Sequence, residues 1–213
     1  MHFISEELEH YAERHTSGSS TLLEQLERAT WQKVINPRML SGHLQGRFLA
    51  MLSALVSPRC IVEIGTYTGY SALCLLEGLQ EGGTLVTIDI NDELDAIHQA
   101  YLLQHPRAKS IDRRFGDALA MIPTLEAPID LVFIDADKSN YINYYEALMP
   151  RVRAGGLLLI DNVLWSGKVV EPVKEGDVDT EVLVELNQRI QADERVENVL
   201  LPLRDGLMVV RKV

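Results

Sequence analysis

A chain of 213 residues with 46% hydrophobic and 24% charged side chains has the composition of an ordinary globular protein, long enough for one large α/β domain with a sizeable core. Its formal net charge of −11, from 31 acidic against 20 basic side chains, disfavours broad nucleic-acid binding. No apolar run approaches the roughly 20 residues that span a bilayer, and the opening "MHFISEELEHYAERH" is acidic and polar rather than a secretion signal, so no membrane association and a cytoplasmic location are expected.

In chain order, "SEELEHYAERH" and "STLLEQLERATWQKV" read as helices, the first opened by Ser5 ahead of Glu7 and Leu8, with "HTSGSS" as turn chemistry between them. Pro37 closes the second. "SGHLQGRFLAMLSALV" predicts a third helix with Leu44, Phe48, Leu52 and Leu55 recurring at helical spacing. The basic residues Arg28, Lys33, Arg38 and Arg47 suit a solvated helix surface better than a nucleic-acid groove. After Pro58 strands and helices alternate. The strands are "CIVEIG", "GTLVTIDI", "SIDRRFGDA", "IDLVFIDAD" and "GGLLLIDN". Between them lie the helices "GYSALCLLEGL", Asp92 to about Gln104, "ALAMIPTL" and "NYINYYEALMPRV", and "DTEVLVELNQRIQAD" follows the fifth strand. "VENVLLPL" and "GLMVVRKV" form a closing hairpin around Arg204-Asp205-Gly206. We read residues 1–57 as a helical segment and 58–213 as an α/β core, together a single domain.

This alternation predicts a parallel, doubly wound sheet to which the hairpin adds one antiparallel strand. Ligands in such sheets bind beyond the carboxyl ends of the strands, and here those ends are acidic: Glu63, Asp89, Asp117, Asp135 with Asp137, and Asp161. The turn "VEIGTYTGYS" carries Gly65 and Gly69 but lacks the early second glycine of a dinucleotide fingerprint, which weakens a pyrophosphate reading. Asp89 lies 24 residues past Gly65, at the next strand's end, and suits a ribose diol. A sulfonium ligand with a cationic amino group needs no phosphate cradle and would welcome the acids; a plain structural turn is the alternative.

Asp135, Asp161 and Asn162 end two strands expected to be neighbours. Their oxygens suit a hard divalent cation, Mg²⁺ or Ca²⁺, and helix capping is the alternative for either acid alone. Lys138, three residues beyond Asp135, is a candidate base or an ordinary surface lysine. Cys60 and Cys74 read as buried small hydrophobes, and no Cys/His cluster suggests zinc.

Taken together, "VEIGTYTGYSALCL", "TIDI", "FIDADKSNYINYY" and "LIDNVLWSGKV", with "NPRMLSGHLQGRFLAML" upstream, resemble the metal-dependent, S-adenosylmethionine-dependent O-methyltransferases of the caffeoyl-CoA type, and more distantly catechol O-methyltransferase. The resemblance implies the Rossmann-like class I methyltransferase fold, a seven-stranded, mostly parallel sheet with its last strand antiparallel and N-terminal helices added. Glu63, Gly65, Tyr67, Gly69 and Ser71 would surround the methionine part of the cofactor, and Asp89 the ribose, with Ile90 against the adenine. Asp117 and Ala118 would line the adenine end. Met39 and Ser41 fall where relatives contact cofactor or substrate, and Asp135 would serve both the cofactor side and the metal.

The implied metal ligands are Asp135, Asp161 and Asn162, for Mg²⁺ first and Ca²⁺ or Mn²⁺ after it. The implied base is Lys138, beside Asp135, and Trp165 would flank the acceptor. The expected reaction is methyl transfer from S-adenosylmethionine to a hydroxyl of a catechol-like, vicinal-diol small molecule, by a homodimer. Alternatives are a hydroxyuridine in transfer RNA as acceptor, a nicotinamide-dependent dehydrogenase, and a non-catalytic metal- or ligand-binding protein.

Overall fold

The computed structural model describes residues 4–213; the opening Met1, His2 and Phe3 of the polar N-terminal segment lie outside the described residues. Helix α1 (Glu6–Arg14) starts at Ser5, whose hydroxyl accepts from the Leu8 N–H, and α2 (Thr21–Lys33) starts in the same way at Ser20. Helix α3 (Gly42–Val56) ends where Ser57 turns left-handed. The core then alternates: β1 (Cys60–Ile64), α4 (Tyr70–Leu76), β2 (Thr84–Asp89), α5 (Asp95–Ala100), β3 (Ile111–Phe115), α6 (Ala118–Met121), β4 (Ile129–Ile134), α7 (Tyr141–Leu148), β5 (Val152–Asp161), α8 (Val178–Ala192), β6 (Val196–Leu201) and β7 (Leu207–Lys212). Helix α5 is shorter than expected, because Asn91 accepts the Glu93 N–H in a turn at its start and the chain breaks at Tyr101.

The seven strands run in the order β3-β2-β1-β4-β5-β7-β6. Strands β1 to β5 pair in parallel, and β7 is antiparallel to both β5 and β6. The expected class I architecture therefore holds. The chain order reverses across β1 and β4, where ligands bind in open α/β sheets. Two apolar layers cover the sheet, one around Tyr141, Tyr145 and Leu186, the other around Leu49, Leu75 and Phe133. Phe133 is fully buried; truncation to Ala would cost about 3–5 kcal/mol.

The apolar stripe expected on α3 is only partly its buried face, with Phe48 and Leu52 packed against the second apolar layer. Leu44, Phe48 and Leu52 are only half-buried and Leu55 is 76% exposed, whereas Gln45, Gly46, Leu49, Ala50 and Ser53 face inward. Close approach to α4 is the reason. A Cβ on Gly46 would stand 2.7 Å from the Tyr70 ring, and the Ser53 hydroxyl donates to the Leu75 carbonyl at 2.6 Å. Cys74 is buried as expected, but Cys60, at the strand entrance, is only half-buried.

Candidate active site

The carboxyl ends of β1, β2, β4 and β5 open on one cleft of about 1280 Å³, at the reversal point of the sheet. That exceeds the roughly 300–1,000 Å³ of a single small-molecule pocket. Gly65, Tyr67, Asp89, Ile90, Asp117 and Ala118 line one half; Asp135, Lys138, Asp161, Asn162 and Trp165 line the other. Met39 stands on the outer rim, 59% exposed.

At the first half the glycine turn is forced by backbone contact. Gly65 has φ 97°, and a Cβ there would fall 2.0 Å from the Asp135 carbonyl oxygen. Asp89 closes the turn: its Oδ2 accepts the Thr66 and Tyr67 N–H groups at 2.9 and 2.8 Å, and its Oδ1 accepts the Asn91 N–H at 2.9 Å. A carboxylate has about four acceptor positions, so one remains for a hydroxyl. Glu63 and Ser71 lie behind this wall. The fully buried Glu63 carboxyl accepts the Ser71 hydroxyl at 2.6 Å and the Thr87 hydroxyl at 2.5 Å. Burial pushes its pKa up to about 8 despite those bonds. Gly69, at the start of α4 with φ 91°, and the buried Ser41 also lie off the cleft wall.

In the second half like charges converge. Asp161, 3% exposed, has its pKa pushed up to about 7 by burial and then by the Asp135 charge, against lowering bonds from Gln45 and the Asn162 N–H. Asn162 adopts φ 61° and Trp165 φ 46°, so the loop leaving β5 is held in backbone conformations that side chains disfavour. Among the described residues no group of three or more His, Cys, Asp or Glu side chains is placed to hold a metal ion. The set here is two carboxylates and one carboxamide. That chemistry fits a hard, oxygen-seeking divalent cation, which would relieve the repulsion between the acids.

Lys138 belongs to the second half, beside Asp135. Its Nζ donates to Asp135 Oδ1 at 3.2 Å, to the Ala136 carbonyl at 2.9 Å and to the Tyr141 hydroxyl at 2.7 Å. Three donors in use describe an ammonium ion. The same Nζ lies 5.8 Å from the Trp165 ring centroid, which positions the cation over an aromatic face.

Two contributions had no sequence signal. Gln45 is fully buried on α3 and donates Nε2 to Asp161 Oδ2 at 2.7 Å, across 116 residues; its Oε1 is buried without a protein partner. Arg204 and Asp205, which read only as a hairpin turn, reach the cleft wall. Of the early basic residues, Arg38 lines the cleft and Arg47 is paired with Glu77.

The O-methyltransferase family model matches residues 13–213. Caffeoyl-CoA O-methyltransferase 2 of Eucalyptus globulus is 38% identical over 79% of this chain and 73% of that protein, and caffeoyl-CoA O-methyltransferase 1 of Zea mays is 39% identical over 79% and 70%. A SAH-bound methyltransferase from Podospora anserina superposes with a TM-score of 0.88 at 25% identity, covering 99% of this chain and 97% of that one. An O-methyltransferase from Bacillus cereus in complex with SAH also gives 0.88, at 26% identity and 97% of both chains. With the family model spanning nearly all of the sequence and the fold matching throughout, the chain belongs to the O-methyltransferase family.

Proposed function

We propose that this chain transfers a methyl group from S-adenosylmethionine to a hydroxyl of a small, catechol-like acceptor, with a divalent cation, Mg²⁺ first, held by Asp135, Asp161 and Asn162. The observation that carries this reading is the convergence of Asp135 and Asp161 in the same cleft as the glycine turn. Cofactor-bound relatives with this fold support S-adenosylmethionine as the methyl donor. Asp89 holds the ribose with its remaining acceptor position, and the 82% exposed Ile90 offers an apolar seat for the adenine, next to Asp117 and Ala118. Gly65 and Tyr67 carry the methionine part past the mouth of β1, braced from behind by Glu63 and Ser71.

The cation, when bound, supplies a Lewis acid that lowers the pKa of an acceptor hydroxyl. Trp165, Met39 and the wall from Asn36 orient the acceptor ring. Lys138, held as an ammonium ion by its bonds to Asp135, Ala136 and Tyr141, balances the developing oxyanion; it serves as the proton acceptor only after giving up one of its own protons to solvent, which frees a lone pair on Nζ. Most of the rate enhancement is positioning of oxygen, methyl carbon and sulfur in line. Seven aspartates line the cleft against three basic side chains, Arg38, Lys138 and Arg204, which favours an uncharged acceptor over RNA. We also propose a cytoplasmic homodimer that covers the exposed Leu8, Tyr11, Met51 and Leu55 of α1 and α3; a monomeric mass by light scattering would remove that pairing. No helix among the described residues is long and apolar enough to cross a membrane.

The test is methyl transfer from S-adenosylmethionine to caffeic acid with Mg²⁺ and then with a chelator. The expected result is product that disappears with the chelator. Product that persists would remove the cation. No product in either condition, with S-adenosylhomocysteine binding intact by calorimetry, would remove small catechols as acceptors.

A further inference from the structure

The tip of the β6–β7 hairpin is tied to both outer walls of the cleft. Arg204 sits there at φ 50°, a left-handed conformation open to glycine and unfavourable for arginine. Its Nη1 donates to the Leu40 carbonyl at 2.6 Å and to the Ser41 carbonyl, and its Nη2 to the Arg38 carbonyl at 3.4 Å. Those carbonyls belong to the stretch that puts Asn36, Pro37, Arg38 and Met39 on the cleft wall. The neighbouring Asp205 serves the opposite wall: its carbonyl accepts the Leu164 N–H at 2.9 Å, and its Oδ1 accepts the Ser166 N–H. The Gly206 carbonyl accepts the Val163 N–H at 3.1 Å, and a Cβ on Gly206 would fall 2.5 Å from Leu164.

A strained backbone persists where its surroundings over-determine it. Here the surroundings are backbone carbonyls up to 166 residues away, reached by a side chain that belongs to no apolar layer. We infer that Arg204 is a positioning residue for the methyl acceptor: it holds the 38–41 segment, which carries the Arg38 and Met39 part of the wall, at a fixed distance from the Trp165 loop, while making no contact with the Gly65–Asp89 turn. Tyr67 secures the start of that wall separately, through its hydroxyl bond to the Asn36 carbonyl at 2.8 Å. The identity of the ligand at this wall rests on the methyl-transfer reading; the mechanics of the wall do not.

Arg204→Gly tests this, because glycine suits the backbone conformation while the guanidinium is lost. In the full chain, hydrogen exchange across residues 36–46 is expected to quicken about ten-fold while the β1–β5 strands hold. S-adenosylhomocysteine affinity should stay within about three-fold, and the KM for caffeic acid should rise about ten-fold with kcat within about three-fold. Exchange like the parent's at residues 36–46 overturns the inference. So does a loss of S-adenosylhomocysteine binding that matches the change in KM, since the guanidinium would then support the whole cleft. If the parent does not methylate caffeic acid, the proposed acceptor fails while the exchange and binding arms still decide the role of Arg204. Should the glycine variant not fold, Arg204→Lys carries the same readouts, with its point donor unable to reproduce the two-nitrogen fork.

Discussion

Asp89 and Asp161 both end strands in one cleft, yet they meet opposite circumstances. Asp89 accepts three backbone N–H groups, and the turn it closes is fixed by those bonds. Asp161 is buried near a second carboxylate, with one bond from Gln45 and one from the next residue's amide, and its pKa rises to about 7. The part of the cleft proposed for the cofactor thus has its turn bonded before any ligand arrives. In the half proposed for the acceptor, Asp135 is paired with Lys138 while Asp161 keeps a raised pKa that a bound cation would bring down. A site that must hold a cofactor gains from pre-formed hydrogen bonds, whereas one that must attract a cation gains from charge left unbalanced.

The sharpest way to break this contrast is Asp161→Ala. We expect cation-dependent turnover to fall about 1,000-fold or more while S-adenosylhomocysteine affinity, by calorimetry, stays within about three-fold. Unchanged turnover would sink the cation assignment. Asp89→Ala should do the reverse: three N–H groups lose their partner and S-adenosylhomocysteine binding weakens about 100-fold. Equal binding in that variant would mean the turn holds itself without the carboxylate.

Lys138→Met probes the half proposed for the acceptor, beside Asp135. A drop in kcat of about 10–100-fold with loss of one limb of the pH–rate profile is expected for a proton acceptor; the same drop with an unchanged profile would leave only a charge-balancing role.

The smallest effect concerns Glu63. Its folded-state pKa, about 8, lies above the ordinary carboxylate value, so the folded protein holds this proton more tightly than the unfolded chain. The resulting stability is fully present below the unfolded pKa of about 4.5 and is lost as pH rises through about 8. Glu63→Gln, neutral throughout, should flatten the fall in Tm across that window by about 3 °C. An equally steep fall in the variant would place the pH dependence elsewhere, Asp161 first, whose share added Mg²⁺ should suppress.

The strand ends were readable because strand and helix periods are local, and because a ligand site at the carboxyl edge follows from a parallel sheet whatever the loops do. Asp89, Asp135, Lys138, Asp161 and Asn162 were all placed this way. The inward face of α3 was not, since apolar spacing points to Leu44, Phe48, Leu52 and Leu55 while helix-to-helix approach selects the small residues around Gly46. Nor did any motif mark Ser71 and Glu63 as a brace behind the wall.

By itself the sequence determined the alternation of elements, the acidic strand ends and the glycine turn, all consequences of patterns a few residues long. Only the tertiary structure decided that Gln45 holds Asp161 across 116 residues and that Arg204 holds the Ser41 carbonyl across 163. Such contacts depend on where folding brings distant backbone together, and no local spacing encodes that distance.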